Sequence, residues 1–543
     1  MNATATNAPA LMAPPMPTKA PPNKWLITVS VTFGTLMGAI DTSIVNVALP
    51  TVRGELGATL QEITWIGTGY IVAQVVVMPF TAFLGRLFGQ KNVYMFCLAL
   101  FVLGSILCGV ARSLPVLVVF RAIQGLGAGA LQPTEQAILR QTFPPKEQAM
   151  AMALFGMAVM LGPAIGPTLG GYIVDHYHWA WIFYINVPVG LLGLFMVWNF
   201  VPEPEDIRAA NRAMAEVQRK NMDWAGIVLL TVGLAALQYF LEEGQSKDWF
   251  QDDVIVVTGF VAAISLAGFV VRELTTPVPV VNLSLFRDPV FLSGTVIGSI
   301  MFAMLMGGMF LLPVFMQEVL GYTATQSGLA MMPRTLVMMV ATPFVARFYN
   351  RVDPRITIAI GVGLFAVGAW SMSHFTLDTT PSGIIAAIMV QGVGFSCLFV
   401  PLTTVALSRV PRTSIADATS LNSLLRQIGG SVGIALFATM LSRYMISSRA
   451  SVGAHVALTR PEVRAVLGAT QSGLMARGMD AATAQAGSVF AMYGRVARQA
   501  TVIAFEQVFL LTGILFLGIL PILMFLRRDA QADPNLKVHV EME

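Results

Sequence analysis

Three ionisable residues interrupt long apolar runs in the first third of the chain: Asp41, Arg121 and Glu135. A charge at the middle of a membrane helix costs about 2.5–3.5 kcal/mol on insertion scales, so such residues are retained mainly for function. An aspartate can accept and release a proton, whereas an arginine stays protonated and can only tune a neighbouring acid. Asp41 and Arg121 lie at similar predicted depths in their runs, so the sequence allows an ion pair between them.

Each of these residues also has a purely structural interpretation. Asp41 could snorkel to the outer interface, and backbone carbonyls could hold Arg121. Glu135 follows Pro133 and lies about four helical turns beyond Arg121, so it could be a second protonatable site nearer the cytoplasm. It could equally reach the inner interface. We predict that Asp41, Arg121 and Glu135 form the proton-coupling set.

Residues 162–171 read Gly-Pro-Ala-Ile-Gly-Pro-Thr-Leu-Gly-Gly. Glycines recur at every fourth position, so one helix face is bare and a neighbouring backbone can approach it closely. The two prolines remove backbone donors at the same place and loosen the helix. The pattern predicts a kinked, tightly packed helix and, more specifically, a pliable seam on which two halves of the molecule rock. The predicted hinge residues are Gly162, Pro163, Gly166, Pro167, Gly170 and Gly171.

The composition is that of a polytopic membrane protein. The chain has 543 residues, of which 55% are hydrophobic and 11% charged, and a mean hydropathy of +0.71. A soluble domain carries roughly 25% charged residues. Apolar runs long enough to span a bilayer predict fourteen transmembrane helices. They cover about 25–47, 62–83, 92–111, 115–138, 150–174, 181–201, 224–241, 254–272, 291–315, 326–346, 356–374, 384–406, 421–446 and 503–526.

The basic residues cluster in alternate loops, which predicts that both termini are cytoplasmic. The predicted long outer loop contains Ala-rich stretches such as Arg460–Met479, which could form amphipathic helices on the outer surface. The predicted organisation is a cytoplasmic tail (1–24), an N-terminal six-helix bundle (25–201), a linker with two extra transmembrane helices (202–288), a C-terminal six-helix bundle (289–526) that includes the outer loop (447–500), and a second cytoplasmic tail (527–543).

An internal repeat supports two bundles. The segment Gln124–Gly127, Gln-Gly-Leu-Gly, returns as Gln391–Gly394, Gln-Gly-Val-Gly, and two glycines of the 162–171 segment return at the same offset as Gly429 and Gly433. Such a repeat predicts two six-helix bundles related by an axis along the membrane normal. The position equivalent to Arg121 is Ile388, so we expect proton chemistry in the first bundle.

Polar side chains inside the predicted spans are candidates to line a substrate pathway, and the 31 methionines and 33 phenylalanines suit an adaptable apolar pocket. Arg334 has no acid in its own span, so we expect it to find one elsewhere. Arg426 begins the thirteenth span, where we expect it to snorkel inward. The predicted pathway residues are Asn46, Gln74, Gln124, Gln317, Arg334 and Gln391.

Several classes of function are excluded. Cys97, Cys108 and Cys397 all lie in apolar runs without metal-ligand or disulfide spacing, so we expect neither a zinc site nor a disulfide framework. The sequence has no GxxxxGK[ST] loop, so ATP does not drive the protein. A net charge of +4 is too small to predict nucleic-acid binding. We expect no cofactor.

Four segments resemble signatures of the EmrB/QacA family, the fourteen-span drug:proton antiporters of the major facilitator superfamily. Residues 41–50 are similar to the family's first-span signature. Residues 121–125 resemble motif B, whose arginine is linked in the family to proton transfer, and residues 162–171 resemble the antiporter signature, motif C. Residues 84–91 resemble motif A, but Arg86 stands where the family has an acid.

The resemblance implies an all-α integral membrane protein with the major facilitator fold and cytoplasmic termini. It implies a proton-coupled antiporter, not an enzyme, that exports hydrophobic or cationic compounds across the bacterial cytoplasmic (inner) membrane. The implied partners are a small-molecule substrate, protons, membrane lipid and, in a Gram-negative host, a periplasmic membrane-fusion adaptor with an outer-membrane channel.

Two alternative functions remain open. On the same fold, the protein could be a dedicated exporter of one metabolite, lipid or siderophore. It could also be a membrane sensor that transports nothing. The Asp41–Arg121 pair argues against a sensor, because a receptor needs no buried titratable acid.

Overall fold

A computed structural model of the chain describes residues 23–457 and 459–526, and the regular structure within them is helical. The predicted tails therefore lie almost entirely outside the described residues. In chain order, the α-helices are α1 Lys24–Leu56, α2 Leu60–Ile63, α3 Trp65–Val77, α4 Phe80–Phe88, α5 Gln90–Gly109, α6 Leu114–Thr142, α7 Gln148–His176, α8 Trp181–Tyr184, α9 Asn186–Phe200, α10 Glu205–Lys220, α11 Trp224–Glu243, α12 Asp253–Thr275, α13 Pro289–Val314, α14 Ala324–Phe348, α15 Pro354–Met372, α16 Pro381–Ala406, α17 Ile415–Ala454, α18 Pro461–Met475 and α19 Ala481–Leu517.

Within the described residues, thirteen helices are long and apolar enough to cross a membrane, or up to fourteen if a bent pair counts as one span. The bent pair occupies the position of the second predicted span. Its two parts, Gln61–Val77 and Phe80–Phe88, are inclined by 57°. Pro79 lies at the break and lacks the N–H that would continue the helical hydrogen bonding, which accounts for the bend.

Two helical features differ from the sequence-based expectation. The charged linker contains helix α10, which places acids in its first turn and Arg219 and Lys220 in its last, complementing the helix dipole. The predicted outer loop 447–500 is largely helical, because α17 continues to Ala454 and α19 begins at Ala481. Between them, α18 forms within the stretch predicted to be helical and packs along α19.

The internal repeat is visible in how the helices pack. In the first bundle, α7 packs on α1 so closely that a Cβ on Gly162 would lie 2.5 Å from the Cβ of Ala39. In the second bundle, α17 packs on α13, where a Cβ on the equivalent Gly429 would lie 2.9 Å from the carbonyl carbon of Ser299. Equivalent glycines therefore make equivalent helix contacts in the two halves.

Helix α11 of the extra pair contacts both bundles. The Trp65 ring of α3 stacks on Tyr239 at a centroid distance of 5.5 Å. On the other side, Gln238 donates a hydrogen bond to Ser431 of α17 at 2.6 Å. The extra pair therefore lies against the junction of the two bundles and leaves their central space free.

The arrangement of basic residues predicts the orientation of the protein in the membrane. We expect a reporter enzyme fused near Ala482, at the start of α19, to be active only outside the cell. A reporter fused near Arg212, on α10, should be active only inside. Activity of the Arg212 fusion outside the cell would contradict the predicted topology and invert the second bundle.

Candidate functional site

Asp41 lies at the centre of a buried polar network in the first bundle. Its side chain is fully buried on α1, and Arg121 Nη1 lies 2.6 Å from Asp41 Oδ2. Gln124 Nε2 and Asn186 Nδ2 donate to Asp41 Oδ1 at 2.8 and 3.1 Å. The ion pair that the sequence allows is present, and Asp41 does not snorkel to the outer interface.

The sequence allowed two environments for Arg121, an ion pair with Asp41 and contacts with backbone carbonyls, and the structure contains both. Besides Asp41, its Nε donates to the carbonyl of Ile66 at 3.2 Å and its Nη1 donates to Gln124 Oε1 at 2.7 Å. Its guanidinium lies 4.1 Å from the centroid of the Tyr70 ring, within the range of a cation–π contact. Arg121 is thus held by groups other than Asp41 on several sides.

Small residues allow the network to assemble. A Cβ on Gly104 would lie 2.7 Å from the Cα of Gln124, so α5 and α6 touch through their backbones at this point. Ser105, next on α5, accepts hydrogen bonds from Gln124 at 2.6 Å and from Asn186 at 3.2 Å. Sequence reasoning missed Ser105 and Asn186, although Asn186 opens an otherwise apolar helix and could have been noticed for that reason.

Glu135 occupies a separate buried site on α6. Thr32 Oγ1 donates to Glu135 Oε1 at 3.0 Å, and Oε2 has no hydrogen-bond partner among the described residues. Thr32 precedes Asp41 by about 14 Å along α1 at 1.5 Å per residue. The alternative that Glu135 reaches the inner interface is wrong, because the side chain is fully buried. Its role as a second proton site remains a prediction.

The glycine face of α7 does not lie between the two halves of the molecule. The prediction that these glycines form the seam on which the halves rock is therefore wrong. Gly162 and Gly166 pack on α1 within the same bundle, where a Cβ on Gly166 would lie 2.7 Å from the Cβ of Ser43. The prolines face the second bundle instead. Pro163 lines a central cavity, and Pro167 Cβ would lie 3.3 Å from a Cβ on Gly328 of α14. Helix α7 therefore connects α1, which carries Asp41, to the wall of the cavity.

The remaining glycines of the motif differ in their surroundings. Gly170 also packs on α1, where a Cβ would lie 2.8 Å from the Ile44 side chain. Around Gly171, by contrast, a Cβ would meet no heavy atom of the described residues within 4 Å. The predicted hinge set thus divides into residues that contact α1, residues that face the second bundle, and Gly171.

The central cavity has a volume of about 40 Å³ and lies between α7 of the first bundle and α13, α14 and α16 of the second. Most of its wall is apolar, and Arg334 is the one charged residue among the described residues that line it. The lining residues are Val159, Met160, Pro163, Phe302, Leu305, Met306, Met309, Met331, Arg334, Thr335, Met338, Phe395 and Phe399.

The predicted pathway residues are not brought together. Arg334 lines the cavity, and Gln124 belongs to the Asp41 network. Gln74 and Gln391 are buried inside their own bundles, and Asn46 and Gln317 are exposed.

The two bundles are joined at the side where α1 begins, which is the predicted cytoplasmic side. Arg86 Nη1 lies 2.6 Å from Asp417 Oδ1, in the first turn of α17, and both side chains are nearly buried. Nearby, Arg140 donates to the carbonyl of Leu407 at 2.9 Å, and Arg412 donates to the carbonyl of Gln141 at 3.1 Å. Arg86, which departs from motif A, thus has an acidic partner in the opposite bundle.

Two helical bundles with a cavity between them, and a buried ion pair inside the first, define a multi-pass membrane transporter. The chain belongs to the Major Facilitator Superfamily, whose family description matches residues 31–434. Members of this superfamily are transporters rather than enzymes.

Named relatives cover most of the chain. It is 37% identical over 435 residues to the multidrug export protein EmrB of Haemophilus influenzae, covering 80% of this chain and 82% of the relative. It is 34% identical over 496 residues to the fatty acid resistance protein FarB of Neisseria gonorrhoeae, covering 91% and 94%. The human organic anion transporter MFSD10 shares the fold, with a TM-score of 0.59 and 14% identity over 91% of this chain and all of that one.

The glycine contacts on α1 predict the effect of a bulky side chain. Gly166→Leu would force apart α7 and α1 and disturb the hydrogen bond from Ser43 to the Gly162 carbonyl. We expect a destabilisation of about 1–3 kcal/mol in unfolding of the purified protein, and loss of transport. Gly171→Leu is the matched control and should have little effect. Equal stability and transport in the two variants would contradict this packing.

The Arg86–Asp417 pair predicts a charge-swap rescue. Arg86→Asp or Asp417→Arg alone should weaken the contact between the two bundles and lower transport at least fivefold, equivalent to about 1 kcal/mol. The double variant should recover part of this loss, which is read as the coupling in a double-mutant cycle. Arg219→Asp, an exposed reversal on α10, is the control. Purely additive effects of the two reversals would show that the pair contributes nothing to the contact between the bundles.

Proposed function

We propose that this protein is a proton-driven exporter of hydrophobic small molecules in the bacterial cytoplasmic membrane. The observation that carries the proposal is the fully buried Asp41 carboxylate, held by Arg121, Gln124 and Asn186. A buried ion pair adds little net stability, so its retention in an apolar bundle favours a functional role. The relatives' names, multidrug export protein and fatty acid resistance protein, agree with export.

In the proposed cycle, Asp41 takes up a proton from outside and releases it inside. Protonation removes the negative charge that faces Arg121 and leaves that guanidinium with its neutral partners, the Ile66 carbonyl and Gln124. Removing one charge of a buried ion pair costs about 3–5 kcal/mol. Protonation of Asp41 can therefore shift the equilibrium between two conformations strongly.

Helix α7 is the proposed route from the proton site to the substrate. Its glycines contact α1 beside Asp41, and Pro163 on its neighbouring face lines the cavity. A shift of α1 therefore displaces α7 and the cavity wall together, since packed helices move as units rather than deform continuously. Glu135 is proposed as a second proton site, with Oε2 as the oxygen able to carry the proton.

The further assembly is also a proposal. In a Gram-negative host, the helices of the predicted outer segment would meet a periplasmic membrane-fusion adaptor leading to an outer-membrane channel. Large apolar side chains on α19 support such a contact, because Phe490 and Tyr493 are 78% and 63% exposed.

Asp41→Asn tests proton coupling. We expect export driven by a pH gradient in proteoliposomes to fall at least tenfold, because the amide cannot carry the proton, while substrate binding persists. Asp175→Asn, an exposed acid on α7, is the control and should transport normally.

A folding defect is tested separately. Asp41→Asn leaves Arg121 without a charged partner, so the double variant Asp41→Asn with Arg121→Gln should recover stability but not coupling. Native proton-for-substrate exchange in Asp41→Asn would exclude Asp41 as the coupling site. The same assay on Glu135→Gln then tests the second acid.

A further inference from the structure

Arg334 is a buried cation in the wall of the central cavity. Its side chain is 4% exposed, and neither Nε nor Nη2 has a hydrogen-bond partner among the described residues. The acidic partner that the sequence led us to expect is not found within that part of the chain. Arg334 therefore lies in the cavity wall with two buried donors that no group of the described residues satisfies.

Arg426 is a second buried cation behind the same wall. It is 3% exposed, and its Nε and Nη1 have no hydrogen-bond partner within residues 23–457 and 459–526. Its guanidinium lies 5.6 Å from the ring centroid of Phe302 and 5.9 Å from that of Phe399, and both rings line the cavity. The expectation that Arg426 snorkels to the inner interface is therefore wrong.

Two buried cations without acidic partners are costly, because desolvation removes the favourable interaction of each charge with water. Contacts between Arg426 and aromatic rings offset only part of this cost. A bound anion would compensate the rest. The planar guanidinium fork matches a carboxylate with two parallel hydrogen bonds, so a carboxylate is the favoured headgroup.

The rest of the wall determines the body of the ligand. Methionines such as Met306 and Met331 and the phenylalanine rings form an apolar, adaptable surface, and the lining residues include neither aspartate nor glutamate. Such a wall accepts varied apolar groups and offers no counter-charge to a cation.

We propose that the central cavity binds amphiphilic organic anions, with the carboxylate on Arg334 and the apolar body against the methionines and phenylalanines. Arg426 adds positive potential from behind the rings. This inference rests on the proposed export function and specifies its substrate class, which differs from the cationic class expected from sequence. The substrate anion binds Arg334 and the proton binds Asp41, so substrate and proton do not compete for one group.

Matched twelve-carbon amphiphiles test the proposal: radiolabelled dodecanoate, dodecyltrimethylammonium and dodecanol, bound to the purified full chain in nanodiscs. We expect dodecanoate to bind at least tenfold more tightly than either of the others. Arg334→Gln should weaken dodecanoate binding roughly ten- to hundredfold and leave dodecanol unchanged, since a hydrogen-bonded charge is lost. Arg334→Lys should restore part of the binding.

Arg347→Gln, an exposed arginine on the same helix, is the matched control and should bind dodecanoate normally. Arg426→Gln is a second variant and should weaken dodecanoate binding by a smaller factor. Because Arg334→Gln removes an unpaired buried charge, the empty variant should unfold at a temperature no lower than the wild type. Folded Arg334→Gln with native dodecanoate affinity would overturn the proposal, as would tighter binding of dodecyltrimethylammonium to the wild type.

The binding assay needs no transport, so the two proposals can fail separately. Selective dodecanoate binding without proton-driven export in proteoliposomes would contradict the proposed function and support the anion site. Proton-driven export of a neutral drug, together with equal binding of all three amphiphiles, would support the function and overturn the anion site.

Discussion

The ion pair between Asp41 and Arg121 is the interaction on which the rest of the structure depends. Four helices supply the side chains of its network, because Asp41 lies on α1, Arg121 and Gln124 on α6, Ser105 on α5 and Asn186 on α9. A neutral pair of similar shape would stabilise the bundle about as well, whereas loss of one partner is costly. A proton on Asp41 is chemically such a loss, so in the proposed cycle protonation would change how the helices pack.

Charge is divided between the two bundles in a way that suits exchange. The first bundle holds Asp41 with its partner Arg121 and the buried acid Glu135, and the second holds Arg334 and Arg426, buried cations without an acidic partner among the described residues. Helix α7 contacts α1 through its glycines and faces the cavity through its prolines, so it joins the two sites mechanically. Separate sites allow each ligand to change the affinity of the other through conformation alone.

The sequence predicted those features that follow from residue type and helical periodicity. Charges are rare in apolar runs, and the depth of a residue in the membrane follows from the rise per residue. The Asp41–Arg121 pair could therefore be predicted. The spacing of glycines at 162–171 predicted close packing but could not identify α1 as the partner. The partner of Arg86 and the isolation of Arg334 depend on tertiary contacts between distant segments, which no local pattern encodes.

The central claim is that substrate binding changes the protonation of Asp41, and infrared difference spectroscopy of the purified protein measures this most directly. On addition of substrate to protein in which Asp41 is protonated, we predict that a carboxylic-acid C=O band of the wild type loses intensity as the proton leaves. The same band change should be absent from Asp41→Asn, in which the carboxyl group is missing. An unaltered band change in that variant would contradict the claim.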